Sequence, residues 1–356
     1  MRDATFQQIA GEHRARWPLM EPQDYGKLAY QSEMGPEHAV SDPALALEEI
    51  LAECRALPPD APRRLPEAIG NGLCRFHLSP LHLSQEGLLP VLAMLFTATA
   101  RRHRGTRQGL EARLAELEGL GVPGMGPWLR AYREEGCPPL HHSETFRRAY
   151  RPHYRVIAAD YVPFLFVLLA VYPLWREGRP AIVAIDGRCG SGKSGLATML
   201  AQVFPCNVFH MDDFYLPAGR RSPERMARPG GDMDVERFRS QVLEPLSRGE
   251  TVTYRAFDRA TGTERPAVEV PFRPLNVVEG SCSCLPALRD AYQLRLFLTC
   301  TVEEQRRRLL AREGPERLKA FETRWIPREE AYFAACHVEE ESDLTVDTTD
   351  LPRTDG

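Results

Sequence analysis

One stretch, residues 181–200, reads AIVAIDGRCGSGKSGLATML and constrains the fold more than any other. An apolar run from Ala181 to Ile185 stops at Asp186, and Gly187-Arg188-Cys189-Gly190-Ser191-Gly192-Lys193-Ser194 follows. That octet matches G-x-x-x-x-G-K-[ST] in full, and Leu196, Met199, Leu200 and Val203 then recur at helical spacing. Strand, glycine-rich loop and helix in that order form the context in which the motif cradles phosphate. Gly187, Gly190 and Gly192 let the backbone curl so that the N–H groups of the loop, through Ser191 and on to Gly195, face inward. The positive end of the helix adds to that field. Lys193 is expected to reach the β- and γ-phosphates of a nucleoside triphosphate, and the Ser194 hydroxyl to hold Mg2+.

A chain of 356 residues is long for a single core, so two domains are expected. A hydrophobic content of 43% with 26% charged residues is that of a soluble globular protein. The net charge of −4 gives no whole-chain footprint for nucleic acid or an anionic membrane. Nine cysteines without a paired framework, behind an N-terminus with no secretory pattern, suggest reduced thiols and a cytoplasmic location. Of the 45 basic residues only Lys27, Lys193 and Lys319 are lysines. At position 193 the choice has a physical reason, since a compact ammonium fits between phosphates where a planar guanidinium does not.

Before the motif the sequence reads as mainly helical. Asp42-Pro43 has the form of an N-cap followed by proline at the first helical position, and Pro58-Pro59 ends that helix. Gly70-Asn71-Gly72 is a turn, residues 88–101 a mostly buried helix, and residues 121–127 a breaker. Residues 156–175 are the most apolar region. Asp160, Pro163 and Pro173 interrupt it, so a buried helix is expected there rather than a membrane span. Residues 176–180 read as a linker, dividing the chain into a mainly helical domain at 1–175 and a nucleotide domain at 176–356. Asp24, Tyr25, Lys27, Tyr30, Gln31, Glu33 and His38 crowd polar groups into one stretch of the first. They form either a second ligand surface or a loop salt-bridged to its own domain.

After the motif, apolar strands alternate with helices, which argues for a parallel sheet flanked by helices. Ligands of such sheets bind beyond the carboxyl ends of the strands, where Asp186, Asp212 and Glu279 all fall. An acceptor hydroxyl must lose its proton as it attacks phosphorus, and a carboxylate facing the loop can take it. Asp212 suits that role, with a metal ligand or an N-cap as its alternatives. Glu279 could hold a Mg2+-bound water, orient substrate or stabilise its turn.

The elements GRCGSGKS, HMDDFYLP, GGDMDVERF, YRAFD, NVVEG and RRRLLAREG resemble those of the uridine kinase and phosphoribulokinase superfamily of P-loop kinases. The resemblance covers roughly residues 179–348. It implies an α/β kinase domain that transfers the γ-phosphoryl group of ATP, with Mg2+, to a hydroxyl of a small molecule. By the same resemblance Asp212 is the base, Asp213 its structural neighbour, and Arg308 and Arg312 lid arginines that close over the transferred phosphoryl group, with a solvated helix surface as the alternative for the two arginines. Similar uridine kinases carry Pro-x-Tyr-Asp-Phe where this chain has Tyr254-Arg255-Ala256-Phe257-Asp258, so the acceptor stays open among nucleosides, sugars and related alcohols. Arg220, Arg221, Arg225 and Arg228 form either an anion site or, the favoured reading, a solvated loop. Cys282 and Cys284 lack histidine partners for zinc and read as free thiols. An ATP-gated switch acting on the first domain is the alternative function, as is phosphorylation of a macromolecule. A homo-oligomer is compatible with the sequence but not specified by it.

Overall fold

The computed structural model describes residues 5–36 and 42–351, so His38 lies outside the described residues. The chain divides into two compact units, one ending at Leu165 and the other beginning at Phe166, ahead of the boundary expected at 175.

The first unit contains helices α1 (Phe6–Arg16), α2 (Pro22–Met34), α3 (Pro43–Ala56), α4 (Leu88–Arg102), α5 (Arg107–Glu118), α6 (Met125–Glu134) and α7 (Glu144–Tyr150). Their starts follow from capping chemistry. Thr5 and Gln8 close a reciprocal capping box on α1, and Asp42 accepts from the Ala44 amide with Pro43 at the first turn of α3. Helix α4 is buried along nearly its whole length, as its composition predicts.

The same unit holds a three-stranded antiparallel sheet that the sequence reading lacked: β1 (Glu67–Gly70), β2 (Leu73–His77) and β3 (Tyr154–Ala158), in that order. The hairpin turns at Asn71 and Gly72, both with positive φ, as the two-residue turn of a twisted ribbon requires. Every residue of β2 is buried, so it carries no alternation to betray a strand. The polar stretch near the N-terminus is helix α2, and Asp24, Tyr25, Gln31 and Glu33 are buried in it.

Residues 156–175 are not one buried helix. Tyr154–Ala158 is strand, a 3-10 turn follows at Ala159–Phe164, and α8 runs over Leu165–Glu177. Val167, Leu168, Val171 and Tyr172 are buried, whereas Phe166 is 46% exposed. Among the described residues, Ala159–Glu177 is the one helical run long and apolar enough to cross a membrane, by length and composition only, and 28% of its most apolar window is buried.

The second unit is built on a five-stranded parallel sheet: β4 (Ala181–Gly187), β5 (Cys206–His210), β6 (Leu275–Glu279), β7 (Leu294–Thr299) and β8 (Leu344–Asp347). Their spatial order is β8-β7-β4-β6-β5, which puts the strand before the glycine loop in the centre. All of β4 is buried, as expected of a strand covered on both faces. Helix α9 (Lys193–Val203) follows the loop; α10 (Val302–Ala320) and α11 (Ile326–Cys336) return after β7. Phe209, Phe214, Phe238, Phe297 and Phe333 are core residues beside the sheet, with Phe297 and Phe333 edge to face at 5.0 Å. Val252–Tyr254 pairs with Val268–Val270 in a separate antiparallel ribbon.

Candidate active site

The strand register sets the site. Ile185 of β4 pairs with Glu279 of β6, and Glu279 with His210 of β5, so the three chains end in one row. The glycine loop leaves β4 at Gly187, whose φ is +131°. A Cβ there would lie 2.0 Å from the Leu298 carbonyl oxygen on β7, so only glycine passes this close to the neighbouring strand. Gly192, with φ of +97°, sits left-handed at the N-cap of α9 and contributes no side chain to the mouth of the loop.

Below the loop, Asp186 is fully buried. Its Oδ1 accepts from the Gly187 amide at 2.7 Å, and its Oδ2 from the Cys284 amide and the Tyr332 hydroxyl, both at 2.8 Å. Burial pushes its pKa up against these donors. Asp186 thus braces the root of the loop against the segment after β6 and against α11, although it stands at a strand end like Glu279. The loop's outer side is held by Glu329, which accepts from the Cys189 amide at 2.9 Å and from the Ser281 hydroxyl. Arg188 is paired with Glu330 at 2.7 Å.

At the mouth, Lys193 Nζ donates to the carbonyls of Gly187 at 2.6 Å and Arg188 at 3.1 Å. The Ser194 hydroxyl donates to Glu279 Oε2 at 3.1 Å, and His210 Nδ1 donates to Glu279 Oε1 at 2.5 Å. Glu279 is 5% exposed, so β6 delivers a buried carboxylate to the motif serine. Its hydrogen bond raises the pKa of His210, a residue the sequence reading left out. Asp212 follows β5 in a 3-10 turn, exposed to the cavity and without a hydrogen bond to any described residue. Removal of water by the surrounding walls, and next the Glu279 charge, raise its pKa; Lys193 and Arg259 oppose them. Asp213 accepts from the Tyr254 hydroxyl at 3.3 Å, a bond within the fold.

Lys193, Ser194, Asp212 and Glu279 line one cavity of about 1140 Å³ in the second unit. Gly190, Gly192, Lys193, Ser194 and Gly195 form its loop wall; Asp212, Glu279 and Arg312 also face it. Gly187, Ser191 and Arg308 do not. Ser191 is buried beneath the loop, its carbonyl accepting from Thr348 Oγ1 at 2.8 Å. Arg308 requires a correction to the lid pairing. It is 6% exposed and donates to the Gly190 carbonyl at 3.2 Å, to Thr348 Oγ1 at 2.9 Å and to the Thr348 carbonyl. Its guanidinium braces the loop from behind and has no route to a transferred group. Arg312, one turn on, keeps a side chain 53% exposed.

Of the four excursion arginines, three are used internally. Arg220 pairs with Asp234, Arg221 caps the Leu216 carbonyl, and Arg225 binds Glu236. Arg228 lines the cavity, joined by Arg259, Arg317 and Arg328, which sequence reasoning missed. Arg259 stands over the rings of Tyr215 at 4.0 Å and Trp325 at 4.7 Å, a stacked cation opposite the loop. Its position beside Phe257-Asp258 gave the only signal. All nine cysteines are free thiols, and burial pushes those of Cys282 and Cys284 well up.

No family model and no curated protein matches the chain. Solved structures resemble about half of it. A candidate uridine kinase from Bacillus stearothermophilus aligns at 21% identity over 50% of this chain and 97% of its own, with a TM-score of 0.39. A candidate fructose transport system kinase from Silicibacter sp. TM1040 aligns at 25% identity over 48% of this chain and 91% of its own, also at 0.39. A Thermus thermophilus structure gives 21% identity, 48% and 90% coverage, and a TM-score of 0.26. Independently of these likenesses, the chain's own glycine loop and strand order make its second unit a P-loop fold on a five-stranded parallel sheet.

Proposed function

We propose that the second unit is an ATP-dependent kinase that moves the γ-phosphoryl group to a hydroxyl of a small molecule. The observation that carries this reading is the meeting of Lys193, Ser194, Asp212 and Glu279 on the walls of one cavity. The backbone amides from Gly190 to Gly195 and the start of α9 bind the phosphates, and Lys193 exchanges its loop carbonyls for their oxygens. Arg312 lines the same cavity and offsets charge on the moving group. Asp212, its proton affinity raised by the desolvated cleft, accepts the proton of the acceptor hydroxyl.

A divalent cation fits the donor set. Ser194 Oγ and Glu279 Oε2 lie 3.1 Å apart as hard oxygen donors, and Asp212 lines the same cavity. Among the described residues no three His, Cys, Asp or Glu side chains gather into a metal cage. Mg2+ suits such a sparse set, because it keeps waters and shares phosphate oxygens instead of requiring an all-protein shell. When bound, Mg2+ neutralises phosphate charge.

The test is ADP release with ATP and Mg2+ against a panel of nucleosides, sugars, sugar phosphates and vitamin precursors, in the wild type and in Lys193→Ala and Lys193→Arg. One acceptor should give turnover that both variants lose, since a guanidinium does not fit the lysine's place. ATP binding without acceptor-dependent ADP release across the panel would favour an ATP-gated switch instead.

A further inference from the structure

The tip of one short hairpin reaches the cavity that holds the glycine loop. Phe257–Asp258 pairs with Thr263–Glu264, and residues 259–262 join the two. Local chemistry fixes this tip. Asp258 Oδ1 accepts from the Ala260 amide at 2.9 Å, the Gly262 amide donates to the Asp258 carbonyl at 2.8 Å, and Gly262 takes a positive φ of 71°. The other Asp258 oxygen is held by Arg265 at 3.0 Å. The turn therefore presents Arg259 in one place, and Arg259 and Ala260 both line the cavity.

Two rings hold the guanidinium. Its central carbon stands 4.0 Å from the centroid of Tyr215 and 4.7 Å from that of Trp325. Tyr215 is buried, three residues past Asp212. Trp325 ends the π-helical turn Phe321–Trp325 between α10 and α11, and both ends of that turn line the cavity. Stacking engages the flat face of a guanidinium and leaves its in-plane N–H donors for another partner. Among the described residues none accepts a hydrogen bond from Arg259 or forms an ion pair with it.

The other charges of the cavity are already engaged. Arg312 and Arg317 share Glu313 at 2.8 and 2.9 Å, and Arg328 pairs with Asp232 at 3.4 Å. Glu329 holds the Cys189 amide, and Glu279 holds Ser194 and His210. Arg228 is exposed, and its charge acts on Glu224. Lys193 belongs to the nucleotide phosphates. Arg259 is left as a positioned fork with free donors, near enough for its charge to act on Asp212.

We infer that the acceptor is an alcohol carrying an anionic group, phosphate or carboxylate, and that Arg259 is the residue that selects it. The inference rests on the kinase reading of this cavity. The fork of Arg259 donates to two oxygens of the anion, while Asp212 receives the hydroxyl at the other end of the same molecule. A guanidinium already held on two rings loses little freedom when the anion arrives. A neutral acceptor leaves those donors in water and gains nothing from them.

The test uses the full chain saturated with Mg2+ and AMP-PNP, a non-hydrolysed ATP analogue that keeps phosphate probes off the glycine loop. Calorimetry compares matched pairs: ribose 5-phosphate with ribose, and glycerate with glycerol. At least one anion should bind saturably and at least about tenfold more tightly than its neutral partner, and the pair that shows this names the anion. Arg259→Gln should erase the preference at unchanged melting temperature and unchanged AMP-PNP affinity. Arg259→Lys should restore only part of it, and Trp325→Leu should weaken the anion although the charge remains. Equal binding within both pairs, a preference that survives Arg259→Gln, no saturable anion up to about 10 mM, or lost AMP-PNP affinity in Arg259→Gln would each overturn the inference. ADP release from ATP separates this failure from that of the kinase reading. Anion binding through Arg259 without ADP release strikes the kinase reading alone, whereas turnover of neutral acceptors only strikes selection by Arg259 and leaves the kinase.

Discussion

Replacing Asp212 with asparagine separates chemistry from binding. The carboxylate is exposed in the cavity and makes no hydrogen bond to a described residue, so the isosteric amide leaves no buried donor unpaired. Stability should therefore shift by no more than about 0.5 kcal/mol, the usual effect of a surface substitution. What is lost is the proton acceptor. General-base assistance accounts for about 10²–10⁴ in rate, or about 2.7–5.5 kcal/mol of barrier. The raised pKa of Asp212 supplies a second signature: the acid limb of the wild-type kcat profile should fall at a pH above 3.8 and vanish in the variant. The assay is steady-state ADP release against pH, with nucleotide affinity measured separately by fluorescent ATP displacement. A large loss of Mg2+–ATP affinity with the chemical step intact would make Asp212 a metal ligand. Full activity in the variant refutes the mechanism.

Gly187→Ala should destabilise the second unit by about 3 kcal/mol or more, because its Cβ would meet the Leu298 carbonyl oxygen at 2.0 Å and its φ is +131°; a wild-type urea midpoint would contradict this. Arg308→Met should cost about 2–4 kcal/mol by stranding the buried Thr348 carbonyl and leaving the Glu304 carboxylate without this partner. Arg312→Ala should instead lower kcat at unchanged melting temperature, and the reverse pattern would return Arg308 to the lid. The bond to Glu279 raises the His210 pKa above 6.5, so its contribution to stability is complete below pH 6.5 and is lost as pH climbs through the raised value. An NMR titration of His210 should show that midpoint above 6.5 and Glu279→Gln should bring it back down; a wild-type midpoint at 6.5 or below would rule the linkage out.

The glycine loop was readable because its chemistry demands fixed residue types at fixed spacing within ten residues. The strands of the parallel sheet were readable for a related reason: each is a short apolar run stopped by a polar residue. Depth was not readable. Arg308 and Arg312 share a helical face in sequence, yet only Arg308 meets Gly190 and Thr348, partners 118 and 40 residues away. Asp186 and Glu279 look alike as carboxylates at strand ends. Their roles diverge because Cys284 and Tyr332 enclose the first while Ser194 and His210 reach the second. In the first unit, β3 was absorbed into a longer apolar run, and β2 carried no alternation because it is covered throughout.

Helix α10 contains a break with a mechanical meaning. Gly314 has φ of 78° and ψ of 171°, and Pro315 follows it, so the run of helical hydrogen bonds is cut there. Open space surrounds Gly314, with no atom within 4 Å of where a Cβ would stand; the residue is required for its dihedral angles and not for room. On one side of this joint Arg308 is bolted to the glycine loop, and on the other Arg317, Ala320 and Phe321 form cavity wall. Across the break Leu318 packs with Leu309 and Cys189, and Arg306 pairs with Glu322 at 2.8 Å, so the far arm is fastened back onto the near one. The break therefore re-aims the chain, so that one nominal helix both braces the phosphate cradle and walls the cavity from a second direction, and a side chain at 314 would strain the left-handed dihedrals that set that turn.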